Sequence, residues 1–418
     1  MTTTPDVDVV CLGESMVTFL PSRPGPLADV PSFDRSIGGA ESNVACALAH
    51  AGYRTRWVSR VGDDGFGDHL VRTIAGHGVD TTAVERDPVR PTGIYFRTDA
   101  ERPTGHTPAG GGTEDGPGTG PRTEPGTEPG TDPRTDPRTE PGTDPRTEPP
   151  ALSEVLYYRA GSAASAMSPT NVAPAALGSG RVLHLTGITA ALSADCLALM
   201  RALTEARGGS RRGPLVSFDV NYRVSLWRAG HGHGNGHGHG HGHGHGSGHG
   251  DRPGPRVLLE LARHSDLVFV GEDEAAAAWG MHGGPEAVRA ALPEPAVLVV
   301  KQGSAGATAF VGDEPGVFAP ALRVDVVSPV GAGDAFAAGF LAGTLRGLPV
   351  RERLRHGHLM AAAALTAAGD LAPPAARERA DALVALDAEA WDRLRLGPGW
   401  TARGPENPEK DEPEVRSA

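Results

Sequence analysis

Short, uninterrupted apolar runs recur along the chain, and most are followed by a stretch with helical spacing. Residues 6–12 (Asp-Val-Asp-Val-Val-Cys-Leu) predict a buried strand ending at Gly13. Residues 36–52 run from Gly38-Gly39 into an alanine-rich helix that is expected to stop at Gly52. Residues 56–61 predict a second strand, closed by the turn Gly62-Asp63-Asp64-Gly65. Further strands are expected at 181–185, 215–220, 267–270 and 296–301. This alternation of strand and helix predicts an α/β fold with a largely parallel sheet.

Two segments break the pattern. Residues 123–150 repeat Thr-Asp/Glu-Pro-Gly/Arg. A proline at every fourth position forbids a helix, and nothing in the repeat can build a core. Residues 231–250 are essentially alternating His and Gly. Both read as disordered loop insertions, over 100–150 and 229–255. A Pro-rich, charged tail, 397–418, reads the same way. The flanks of the first insertion, 92–98 (Thr-Gly-Ile-Tyr-Phe-Arg-Thr) and 153–160 (Ser-Glu-Val-Leu-Tyr-Tyr-Arg-Ala), are β-prone and are expected to pair as a hairpin with the repeat at its tip.

Composition narrows the class. The 418 residues suffice for one large domain or two modest ones, and about 300 remain once the insertions are set aside. The formal charge of −12 argues against a nucleic-acid partner. No apolar run of about 18 residues is present, so no membrane span is expected. The opening Met-Thr-Thr-Thr-Pro-Asp lacks the basic and apolar regions of a signal peptide, which makes a cytoplasmic protein the expectation. Cys11, Cys46 and Cys196, scattered and odd in number, read as buried free thiols.

The strongest chemical signal is the segment from Ser328 to Phe340, with Gly331-Ala332-Gly333-Asp334 at its centre. A glycine-rich turn opens a helix of small residues. The first N–H groups of such a helix lack internal partners, so the amides of Gly331, Ala332 and Gly333 form a candidate anion hole. Asp334, in the first turn, would lie beside it, placed to take a proton from an attacking hydroxyl. A helix-capping Asp beside packing glycines is the plainer alternative.

Together with Gly38-Gly39-Ala40-Glu41-Ser42-Asn43 near the other end, this segment resembles the two signatures of the ribokinase/PfkB family of sugar kinases. The resemblance implies a kinase domain over 6–395. Its fold would be a central, mostly parallel sheet flanked by helices, with a small β-lid carrying the disordered insertion and lid strands at about 92–98 and 153–160. It implies ATP and Mg²⁺ as cosubstrate and metal, Asp334 as catalytic base, and Gly38, Gly39 and Asn43 lining the sugar. Lys301, with Gly303 and Gly306 of the turn that follows, would lie beside ATP, and His358 would stand where relatives place an Asn near the adenine. Glu274 would hold the Mg²⁺-bound water network, although Gly271 replaces the usual Asn of that motif. Ser328 replaces an Asp that often helps bind a monovalent cation, so activation by such an ion is left open.

Within the family the chain is most similar to the 2-keto-3-deoxygluconate kinases. The matching residues are Tyr95, Tyr157 and Arg159, and the run Asp219-Val220-Asn221-Tyr222-Arg223. In that branch the corresponding tyrosines and arginines hold a sugar acid, and Asn221 and Arg223 join the substrate set. A carboxylate gains from a planar donor fork that a neutral sugar does not need. The expected substrate is therefore a sugar acid, phosphorylated to its 6-phosphate. A kinase of a neutral ketose or nucleoside, and a non-catalytic sugar-acid sensor, stand as alternatives, and a homo-oligomer is compatible with either. The His-Gly run suits Ni²⁺ or Zn²⁺ but lacks the fixed geometry of a catalytic metal site, and reads as a solvated loop.

Overall fold

The computed structural model describes residues 6–23, 27–97, 155–205, 213–228, 254–369 and 371–402. The Thr-Asp/Glu-Pro repeat, the His-Gly run and the chain beyond 402 lie outside the described residues. The strands are β1 (Val9–Leu12), β2 (Met16–Pro21), β3 (Phe33–Gly38), β4 (Thr55–Gly62), β5 (Val84–Asp87), β6 (Ile94–Arg97), β7 (Val155–Tyr158), β8 (Val182–Thr186), β9 (Leu215–Asp219), β10 (Leu267–Gly271), β11 (Val297–Lys301), β12 (Gly306–Val311), β13 (Val317–Pro320), β14 (Arg323–Val324) and β15 (Arg395–Leu396).

Nine of them form one sheet in the order β13-β12-β11-β10-β9-β8-β1-β4-β5. It is parallel from β5 through β11, and β12 and β13 extend one edge antiparallel. Its strands read as continuous apolar runs because both faces are covered. In β1, Val9 and Cys11 enter one core, shared with Val44 and Leu48 of helix Ala40–His50 and Phe336 and Phe340 of helix Ala332–Leu345. Val10 and Leu12 enter the opposite core, with Met200, Leu258 and Val288. All three cysteines are buried and free. No helix among the described residues is long and apolar enough to cross a membrane.

A second sheet, ordered β3-β2-β6-β7, stands beside the C-terminal end of β1. Strands β6 and β7 pair antiparallel, with Tyr95 directly opposite Tyr157. The first helix follows directly on Gly38-Gly39, as expected, beginning at Ala40, while the residues before it form β3 and pair with β2. Residues 397–402, read from the sequence as the start of the tail, are among the described residues. They stay packed, because Trp400, 3% exposed, joins a core cluster with Leu359 and Trp391.

Candidate active site

The parallel strands all end on one edge of the sheet, and each delivers a polar group or a glycine there: Gly13 after β1, Thr186 in β8, Asp219 in β9, Gly271 in β10 and Lys301 in β11. Ligand sites of open α/β sheets lie at this edge. Helix Ala332–Leu345 points its N-terminus at the same place, with Gly331 as its cap in the left-handed region at φ 74°. The Lys301 ammonium stands beside this mouth, 3.9 Å from where a Cβ on Gly333 would lie. Lys301 Nζ donates to both oxygens of Asp219, at 3.0 and 2.9 Å. Burial works against its charge, but Asp219, Glu274 and Asp334 together hold its pKa above the ordinary value.

Asp334 is partly exposed. Its Oδ2 accepts from Asn43 Nδ2 at 2.9 Å, so the two sequence signatures meet in one hydrogen bond. Desolvation pushes its pKa from 3.8 to about 7, against the hydrogen bond from Asn43. Asp219 adds to the rise, while Arg223 and Lys301 oppose it. A carboxyl poised near neutrality suits a general base.

Glu41 was no part of the expected set, yet it underpins Asn43, two residues on in the same helix. It is fully buried, and its Oε1 accepts from Thr186 and Thr189 hydroxyls, both at 2.7 Å. Its Oε2 has no partner among the described residues. The carboxyl fills the place of a side chain at Gly13, where a Cβ would fall 2.0 Å from Glu41 Cδ. Burial raises its pKa from 4.5 to about 7, against the two threonine hydrogen bonds. The unfolded chain therefore releases this proton first as pH rises, and the stability gained from the neutral acid is lost between pH 4.5 and 7. Relative to Glu41→Gln, the protein is expected to lose about 2–3 kcal/mol between pH 5 and 8. Urea melts of both forms across that range check this, and parallel curves would contradict it.

Other residues of the expected substrate set lie in or beside the second sheet. Tyr95 stacks on Tyr157 with ring centroids 5.3 Å apart. The Arg159 guanidinium lies 5.7 Å from the Tyr157 ring centre and pairs with Glu14. Gly39 abuts the backbone of residues 14 and 15, where a Cβ would meet the Glu14 carbonyl oxygen at 2.4 Å. Asn221 takes a positive φ of 38°, a bend Asn tolerates better than most residues, and leads into Arg223.

The pfkB family carbohydrate kinase model matches residues 6–107 and 251–376 of this sequence. The chain belongs to the pfkB family of carbohydrate kinases. It is a sugar kinase, a phosphotransferase acting on an alcohol group. A 2-dehydro-3-deoxygluconokinase of Thermoproteus tenax is 30% identical over 384 residues, covering 91% of this chain and 95% of the relative. The Bacillus subtilis protein of the same name is 29% identical over 380 residues, 89% and 94% of the two chains. Among solved structures, a PfkB protein from a Polaromonas species superposes with a TM-score of 0.64 at 27% identity, covering 90% of this chain and 99% of its own. The Thermotoga maritima 2-dehydro-3-deoxygluconokinase shares the fold, with a TM-score of 0.66 at 21% identity over 91% and 98% of the chains.

Other positions that the family pattern singles out are placed as follows. Gly303 (φ 58°) and Gly306 (φ 143°) shape the β11–β12 hairpin turn. A side chain at Gly306 would also strike the Ala319 carbonyl at 2.3 Å. Glu274 Oε2 accepts from Gly271 N at 2.7 Å, capping helix Glu272–Trp279 while its charge still reaches Lys301. His358 is not on a helix surface. It is buried against Phe336, its Nε2 meets the Ala319 carbonyl at 3.0 Å, and burial lowers its pKa to about 4. Its ring therefore supports the hairpin strand β13. Glu14 and Ser162 went unnoticed in the sequence. The available signal was a carboxylate following a buried strand at the ligand edge of the sheet.

Proposed function

We propose that the protein phosphorylates a sugar acid with ATP, most specifically 2-keto-3-deoxygluconate (2-dehydro-3-deoxygluconate) to its 6-phosphate. The observation that carries the reading is Asp334, held by Asn43 at the mouth of the Ala332–Leu345 helix, with the Arg223 charge near enough to act on it. The names of the relatives that match most of the chain at 30% and 29% identity support the choice of sugar. ATP as donor is supported by the fold shared with an uncharacterized sugar kinase from Pyrococcus horikoshii in complex with ATP.

In this reading ATP lies along the turn of Lys301, Gly303 and Gly306. The amides of Gly331, Ala332 and Gly333 and the Lys301 ammonium take the transferring phosphoryl oxygens. Asp334, ionised, accepts the proton of the primary hydroxyl, and Asn43 keeps its carboxylate aimed. Gly38, Gly39, Asn43 and Asn221 line the sugar, Tyr95 and Tyr157 cover it, and Arg159 and Arg223 face its acid end. The second sheet acts as a lid that excludes water, which limits idle ATP hydrolysis. Oxygen donors at this edge suit Mg²⁺, which neutralises phosphate charge. Both oxygens of Asp219 are on Lys301, and Glu274 is a cap, so the metal would rest on phosphate oxygens and water, with Glu274 in the outer ring.

A second reading, a kinase of a neutral ketose or nucleoside, is favoured by one observation: the Arg159 charge is already balanced by Glu14. A panel of sugar acids, neutral ketoses and nucleosides, assayed for ADP release, separates the two. Turnover is expected on 2-keto-3-deoxygluconate. Turnover confined to neutral substrates would overturn the first reading.

A further inference from the structure

Glu14 stands where the main sheet hands the chain to the second sheet, between the end of β1 and the start of β2. Its carboxylate side chain is 1% exposed, pairs with Arg159 Nη2 and accepts from Ser162 Oγ at 2.7 Å. Both partners lie on the segment leaving β7. A Cβ on Gly93 would come within 3.0 Å of Glu14 Oε1, so the backbone there closes directly on the carboxylate. The guanidinium is only partly met: Arg159 is only 10% exposed, and its Nε is buried with no partner among the described residues. A buried donor without an acceptor is costly, and such groups mark places where a bound molecule supplies the missing oxygen.

We propose that Glu14 is the positioning residue for sugar recognition. By holding Nη2 it fixes the Arg159 guanidinium so that Nε–H is presented to the sugar, whose oxygen completes a donor left unmet among the described residues. This rests on the reading of the site as that of a sugar-acid kinase.

A double-mutant cycle tests it. Glu14→Ala is expected to raise KM for the sugar roughly 10–100-fold, the usual range for one charge-assisted contact, with kcat and the ATP KM nearly unchanged. Arg159→Ala should do the same, and the double variant should be no worse than the worse single one. Glu14→Gln, whose amide oxygen can still accept from Arg159, should recover most of the affinity. Additive effects, a joint loss of kcat and ATP affinity, or a Gln variant no better than Ala would overturn the inference. If Glu14→Ala does not fold, Glu14→Met, which keeps the volume without a carboxylate acceptor, takes its place in the cycle under the same criterion. The unmutated enzyme is assayed first. If it ignores sugar acids, the functional reading fails, and the cycle is run on the neutral sugar it does use, where additivity overturns the role of Glu14 by itself.

Discussion

Asp334→Asn should give a folded, nucleotide-binding protein with kcat lower by roughly 10²–10⁴, the usual worth of a positioned base. The amide can still accept from Asn43, so the link between the two helices survives while the proton acceptor is lost. The pH profile supplies a second, independent readout. Since the Asp334 pKa is raised to about 7, the ionised form accumulates only above that, and turnover should climb through pH 7 and level off on the alkaline side. The same group costs stability once ionised, because its folded pKa exceeds the ordinary 3.8. The Asn variant should therefore gain relative stability as the pH rises from 4 to 7. Near-normal turnover in the variant, or a flat profile from pH 6 to 8, would remove Asp334 from the role of base.

Arg223→Ala should cost a sugar acid about 1.5–3 kcal/mol more than it costs the neutral analogue, or roughly ten- to a hundredfold in kcat/KM. Arg159→Ala should also penalise the acid, but less selectively. Removing Arg159 strands the buried Glu14 carboxylate and disturbs the packing on Tyr157, which touches every sugar alike. Kinetics of both variants on an acid and its reduced counterpart check this. Equal losses on the two substrates in both variants would discard the carboxylate clamp.

Much of the main sheet was legible because its strands are buried on both faces and carry unbroken apolar runs, as in Leu267–Gly271 and Val297–Lys301. The glycine-rich start of the Ala332–Leu345 helix was equally plain, since only a few residue types allow backbone to approach an anion. Strands β2 and β3 escaped notice. Phe33–Gly38 mixes charged and apolar residues and is fixed by pairing with Met16–Pro21 rather than by local propensity. The ion pairs were hidden for a different reason. Glu14 with Arg159, and Asp219 with Lys301, join residues 145 and 82 positions apart, and no local pattern marks either partner. The partner of His358 was hidden for the same reason: Ala319 belongs to an antiparallel edge strand that the sequence did not announce.

The Asn43–Asp334 hydrogen bond spans 291 positions, and helix Ala332–Leu345 packs on helix Ala40–His50 and shares its core. On a ribosome, the earlier helix emerges long before its cover. Val44, Ala47 and Leu48 must wait through the synthesis of most of the sheet for Phe336, Phe340 and Leu341 to close over them. Such a nascent chain carries an apolar seam that invites chaperones or self-association. Asp334 meets its hydrogen-bond donor only after residue 334 has left the ribosome, late in synthesis.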